Sequence, residues 1–350
     1  MTSSPHSAPA RPSFGRRLVR AVLIIILVLL AVLLLVIVVA ALWPIHVTSP
    51  VVSRPAAGYD EALAEIEAIW DEENEMADFN AVCHSILLTH GQQVEDVVVF
   101  YHGFTNCPEQ YRELAQAFYD RGYNVYVPLA PYHGHTDREG QALRDLTDEG
   151  LAAHATMTAD IAQGLGRRVT VSGLSGGGTI AAWLAQERAD VALAAPTSPF
   201  IGIKFLPGAF LNRGLANLLR VLPNIHVWWD PINRYDNPFT APHAYAGYPV
   251  RSMGTYMRLG FSTLADAEHT PPAATAIRMV VNDADVSISN RVAQDLVAAW
   301  QRAGAADVDT FTFGRELRLP HDMIAPERLG SAVEQVYAQL IELLTGAVAP

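Results

Sequence analysis

From Ala21 to Trp43 the chain reads AVLIIILVLLAVLLLVIVVAALW, 23 residues without a charge, a glycine or a proline. A globular domain of this size has little room to enclose such a helix on every side, so this segment restricts the fold before any other feature does. As a helix it is about 34 Å long, enough to cross a hydrocarbon core of about 30 Å. Arg11, Arg16, Arg17 and Arg20 precede it, as in a cytoplasmic flank or the charged start of a signal peptide. The apolar run is longer than a signal core, so a retained anchor is expected over a cleaved signal. Either outcome puts the following residues outside the cytoplasm. The chain then divides into a cytoplasmic tail (1–20), a transmembrane helix (21–43), a linker with an acidic helix (44–79) and a soluble domain (80–345).

The soluble part is neither disordered nor suited to nucleic acid. Half the chain is hydrophobic and 17% is charged, and 36 acidic against 24 basic residues give a net charge of −12. Nothing in the composition specifies an oligomeric state. Pro44, Pro50 and Pro55 suit an extended linker. The stretch 59–78 predicts a helix with a stripe of Leu63, Ile66, Ile69 and Trp70 and an acidic solvated face; it lacks the EF-hand pattern of a calcium site. Cys83 and Cys107 are the only cysteines, and an oxidising compartment favours a bridge between them over two buried thiols.

Beyond residue 80 short apolar strands alternate with helices. Strands are expected at 97–101, 123–128, 168–172, 191–195, 276–281 and 308–313. Helices are expected at 108–121, 151–165, 179–188, 290–303 and 326–345. This rhythm predicts an α/β fold with a mostly parallel central sheet covered on both faces. It breaks between about 197 and 272, where six aromatic residues from Phe200 to Tyr235 and several prolines indicate an insertion of helices and loops.

Gly173-Leu174-Ser175-Gly176-Gly177 is a G-x-S-x-G pattern between an expected strand and an expected helix. Flanking glycines permit the sharp turn that raises a serine hydroxyl from the sheet edge, so Ser175 is the candidate nucleophile. His321, in the loop after the strand at 308–313, is the candidate base. The loop after 276–281 offers Asp283 and Asp285 to orient that imidazole, and the residues alone leave the choice open. The Gly176 N–H, with the Phe104 N–H from His102-Gly103-Phe104-Thr105, would form an oxyanion hole. His102 reads as a structural hydrogen-bonding residue. His133 and His135 are an isolated pair with no third metal ligand near them in sequence, and the chemistry calls for no metal or organic cofactor.

Residues 80–345 resemble the α/β-hydrolase superfamily, especially carboxylesterases and monoacylglycerol-lipase-like enzymes. The resemblance rests on G-L-S-G-G at 173–177, on H-G-F at 102–104, on P-Y-H-G-H at 131–135, and on the chain order Ser175, Asp near 285, His321. The family's D-x-x-V spacing with its turn-forming continuation fits Asp285-Val286-Ser287-Ile288-Ser289 best, with Ile288 in place of Val, so the resemblance selects Asp285 and leaves Asp283 as runner-up. Tyr132 stands where the family has a glycine. HGFT differs from the HGGG of one lipase and esterase branch. The resemblance further implies that 197–272 is a lid, whose Phe200, Phe205, Trp228 and Trp229 are candidates either for an acyl pocket or for the lid's own core, and that the enzyme cleaves a carboxylic ester, such as a lipid or acylglycerol ester, through an acyl-enzyme. Amidase, thioesterase and peptidase activities use the same scaffold. A membrane-tethered binding protein without activity is the reading from another class.

Overall fold

The computed structural model describes residues 14–232, 234 and 241–346; Arg11, most of the tail and Tyr235 lie outside the described residues. Helix α1, Phe14–Leu42, begins seven residues before the uncharged run. Its segment Leu18–Leu42 has the length and composition of a membrane span, and side chains from Leu18 to Val36 are exposed all round the helix. Its last two turns pack against the helix Gly208–Val221, and only Ala40 and Ala41 are buried there.

The chain leaving α1 is extended but not free. Ile45, Val47 and Ala56 are buried, Val47 N donates to Ser262 Oγ (2.7 Å), and Arg54 N donates to Asp160 Oδ2 (2.6 Å). The prolines keep this segment extended, while side chains far along the sequence bind its backbone polar groups. Helix α2, Tyr59–Glu75, follows and buries Ala62 and Ile66.

A seven-stranded sheet forms the centre. Its strands are β1 (Ile86–Leu88), β2 (Val94–Tyr101), β3 (Asn124–Val127), β4 (Gly166–Leu174), β5 (Val191–Thr197), β8 (Ala276–Asn282) and β9 (Val308–Phe313), in the order β1-β3-β2-β4-β5-β8-β9. All pairs are parallel except the β1–β3 edge. The strands read as continuous apolar runs because both faces are buried. In β2, Val97, Val99 and Tyr101 join one core with Leu151 and Ile161 of α4 (Asp148–Leu165), Trp183 of α5 (Gly176–Glu187) and Trp300 of α8 (Asn290–Arg302). Val98 and Phe100 point the other way, into a core with Leu114 and Phe118 of α3 (Arg112–Tyr119) and Leu340 of α9 (Val333–Thr345). The last helix starts later than its expected 326 because Gly330, at φ 85°, holds a turn there.

Between β5 and β8 the described residues contribute no strand to the central sheet. They form α6 (Gly208–Val221), a small antiparallel ribbon of β6 (His226–Trp228) and β7 (Gly247–Pro249), and α7 (Val250–Ala267). The architecture is thus α/β, with a mostly parallel sheet and a helical insertion over its carboxyl edge.

Candidate active site

The β2–β4 register pairs Tyr101 with Gly173, which sets the loop after β2 beside the β4–α5 turn. Ser175 occupies that turn at φ 58°, ψ −113°, a conformation that costs a non-glycine residue energy and persists only where neighbours impose it. Here they do: Ser175 N donates to Thr197 O (3.0 Å), and Ser175 O accepts from Phe200 N (2.9 Å) and Thr179 N (3.0 Å). The last glycine of the motif serves close approach, since a Cβ on Gly177 would run into the Tyr101 carbonyl.

A Cβ on Gly176 would lie 3.0 Å from Phe104 N, so the two expected oxyanion donors are neighbours. The loop carrying Phe104 is tied down on all sides. Gly103 N donates to Gln110 Oε1 (2.8 Å), His133 Nε2 bonds Phe104 O (2.6 Å), and Thr105 O accepts from Tyr245 N (2.8 Å). Behind it Cys83 and Cys107 form a disulfide with Cα atoms 5.3 Å apart. His102 is buried with both ring nitrogens on backbone, Nδ1 at Gly103 O and Nε2 at Ala130 N; burial first, then neighbouring His133, lowers its pKa well below that of a free histidine. Tyr132 adopts φ 64°, the left-handed conformation for which glycine is the ordinary choice.

Asp285 is buried after β8 and its Oδ2 lies 2.6 Å from His321 Nδ1. Its Oδ1 accepts from Ser287 N (2.8 Å) and Ile288 N (3.2 Å). Burial alone would raise its pKa, but the His321 charge and these hydrogen bonds hold it below the ordinary carboxylate value. Asp283 is exposed. The insertion braces the acid loop, since Ser289 N donates to Gly202 O (2.8 Å) and Lys204 N to Ser287 O (3.1 Å). For His321, burial pulls the pKa down while the charge and hydrogen bond of Asp285 lift it; the lift wins, and the imidazole is pushed up to about 9.

Ser175 and His321 line one cavity of about 420 Å³, and no hydrogen bond joins them here. Such bonds are commonly long until a substrate engages them. Phe104, Phe200, Phe205, Trp228 and Trp229 also line this space, joined by Met253 of α7. Phe205 is 84% exposed and sits at the rim, whereas Phe200 is buried and joins the main core as well as the cavity wall. Asp322 and Glu327 add carboxylates to the wall, and Glu327 lies 3.6 Å from His243. Among the described residues no three His, Cys, Asp or Glu side chains are grouped to hold a metal ion. His133 holds backbone, and His135 Nδ1 pairs with Asp78 (2.8 Å). The supports Gln110 and Tyr245 carried no local sequence signal, because they come into play only through the fold.

Sheet, strained serine turn and insertion together are those of an α/β-hydrolase, and the chain belongs to the family of serine aminopeptidase, S33, whose model matches residues 92–304. A thermostable monoacylglycerol lipase from Bacillus sp. (strain H-257) is 28% identical over 176 residues, which is 48% of this chain and 63% of that protein. This chain therefore matches less than two thirds of that relative's length. Among solved structures, one of the metagenome-derived lipolytic enzymes LipS and LipT aligns with a TM-score of 0.57 at 15% identity, covering 77% of this chain and all of its own. A monoacylglycerol lipase from Paleococcus ferrophilus aligns at 0.53 and 17% identity, covering 75% of this chain and 98% of its own. At such identities the structural likeness speaks to the fold.

Proposed function

We propose that the protein is a membrane-anchored serine esterase acting on carboxylic esters with an apolar acyl group, an acylglycerol or similar lipid ester among them. One observation carries the reading: His321, 2.6 Å from the buried Asp285 carboxylate, lines the same cavity as a serine held in a strained strand-to-helix turn. Ser175 Oγ attacks the ester carbonyl as His321 takes its proton, and Asp285 stabilises the imidazolium. The Phe104 and Gly176 amides hold the oxyanion. His321 returns the proton to the departing alcohol. Water, deprotonated by the same imidazole, then releases the carboxylic acid and restores Ser175. The aromatic residues of the insertion, 197–272 acting as a lid, receive the acyl chain. Helix α1 crosses the membrane with its arginine-rich end inside, and the catalytic domain faces outward.

A p-nitrophenyl ester series of rising acyl length tests this. The expected result is turnover with an initial burst and a preference that rises beyond acetate; a folded protein that cleaves no member contradicts it. The family's description, together with Asp322 and Glu327 in the cavity wall, favours a second reading in which a carboxylate receives the α-amino group of a peptide. Faster cleavage of aminoacyl p-nitroanilides than of esters would select it.

A further inference from the structure

A second cavity, of about 680 Å³, lies between α1 and α6. Leu35, Val36 and Val39 of α1 line it together with Leu218 and Val221 of α6, and Trp43, Arg220 and Arg258 complete its wall. Its volume falls within the range of about 300–1,000 Å³ typical of small-ligand pockets.

A buried polar chain holds the two walls together. Asn217 Nδ2 donates to Ala40 O (2.9 Å) and Trp43 O (3.1 Å), carbonyls at the end of α1. Arg258 donates from Nη1 to Asn217 Oδ1 (2.5 Å) and from Nε to Asp148 Oδ2 (2.7 Å). The end of α1 is therefore fastened to the insertion, and the groove is a built feature of the fold.

Chemistry narrows the occupant. If α1 spans the membrane, as proposed above, the residues from Leu35 to Trp43 run from the hydrocarbon toward the headgroups of the outer leaflet, where lipid surrounds the groove. Arg220 is half exposed, and its ion pair with Asp148 is long, at 3.6 Å, because Arg258 already holds that carboxylate. Among the described residues Arg220 has no hydrogen-bonded acceptor. Asp148, already paired with Arg258, and its neighbour Glu149 are the carboxylates beside this site that oppose an incoming anion. An apolar trough with a guanidinium beside it matches an acyl chain joined to a phosphodiester.

We propose that the groove binds one glycerophospholipid of the outer leaflet, an acyl chain lying against Leu35, Val39 and Leu218 and the phosphate paired with Arg220. The bound lipid seals α6 against α1 and so sets the insertion, with Phe205 and Trp229 at the catalytic cavity, beside the bilayer. This inference rests on the anchor reading.

The test uses the full chain, purified in mild detergent, offered dioleoyl phosphatidylglycerol and analysed by native mass spectrometry. Wild type is expected to retain one phospholipid per chain. Arg220→Gln is expected to lower retention about fivefold. Val221→Trp, which fills the groove from an exposed position, is expected to abolish it, with turnover of p-nitrophenyl acetate unchanged in both variants. Wild type that retains no lipid, or variants that retain as much as wild type, would overturn the proposal. Carbonate extraction separates the two levels: an intact chain released from membranes refutes the anchor and the lipid site with it, whereas an integral chain without bound lipid refutes the site alone.

Discussion

At the carboxyl edge of the sheet, Ser175 and Asp285 are buried, and backbone hydrogen bonds hold the turns that carry them. Across the same cavity the insertion leaves Phe205 84% and Trp229 37% exposed. The first region gains its geometry from the rigid register of parallel strands. The second rests on α6, fastened to the end of α1, and on α7, which is packed against α4, α5 and α8, while its rim side chains stay open to solvent. On the proposed function, chemistry falls where the chain has least freedom, and selection of the acyl group where side chains can rearrange. Changes at the sheet edge should therefore act on turnover, and changes in the insertion on substrate preference.

The largest effect is expected from the acid. Asp285→Asn should lower kcat for p-nitrophenyl butyrate about ten-thousand-fold, because the amide cannot stabilise the imidazolium and favours the wrong tautomer. Asp283→Asn, at an exposed position, should stay within about threefold of wild type, as surface changes usually do. Equal losses would erase the distinction between the two residues.

The disulfide should matter to stability more than to chemistry. Closing a loop with a sequence separation of 24 is worth about 3 kcal/mol in the chain-entropy account. Paired Cys83→Ser and Cys107→Ser changes should lower the urea midpoint accordingly, while short-ester kcat falls only modestly. A protein with an unchanged midpoint would show that Gln110, His133 and Tyr245 brace the oxyanion loop without it.

The pH profile reads the same edge. As the proposed base, His321 must be neutral to accept the serine proton, and Asp285 raises its pKa above the ordinary 6.5. The kcat/KM for a neutral ester should therefore rise with pH through an apparent value between 6.5 and about 9. A limb at or below 6.5 would mean that the carboxylate stabilises the imidazolium less than the geometry implies. The smallest effect belongs to the insertion. Phe205→Ser should raise KM for a long-chain ester by about tenfold, the worth of a few methylenes, and leave acetate turnover and melting temperature unchanged.

Much of the sheet edge was legible because its signals are local. A glycine-flanked serine between an apolar strand and a helix identifies its own turn, and 276–281 and 308–313 match β8 and β9 almost residue for residue. Asp283 and Asp285 were not separable from residue type alone, since both follow the same strand and only the tertiary fold aims one carboxylate at His321. Strand β1 escaped notice because three residues at an antiparallel edge are too few to show a pattern. The docking of residues 45–56 depends on Ser262 and Asp160, more than a hundred positions away. The destination of the aromatic residues in the insertion was equally hidden, because ring direction there follows from how α6 and α7 pack.

Covalent labelling at the serine turn asks whether Ser175 is the nucleophile. Purified protein would be treated with a fluorophosphonate, digested and mapped by mass spectrometry, with Ser175→Ala and Asp285→Asn in parallel. Nucleophilic attack by Ser175 requires a single phosphonyl adduct on Ser175, none in Ser175→Ala, and much slower labelling of Asp285→Asn. An adduct on another residue, or undiminished labelling of Ser175→Ala, would contradict it.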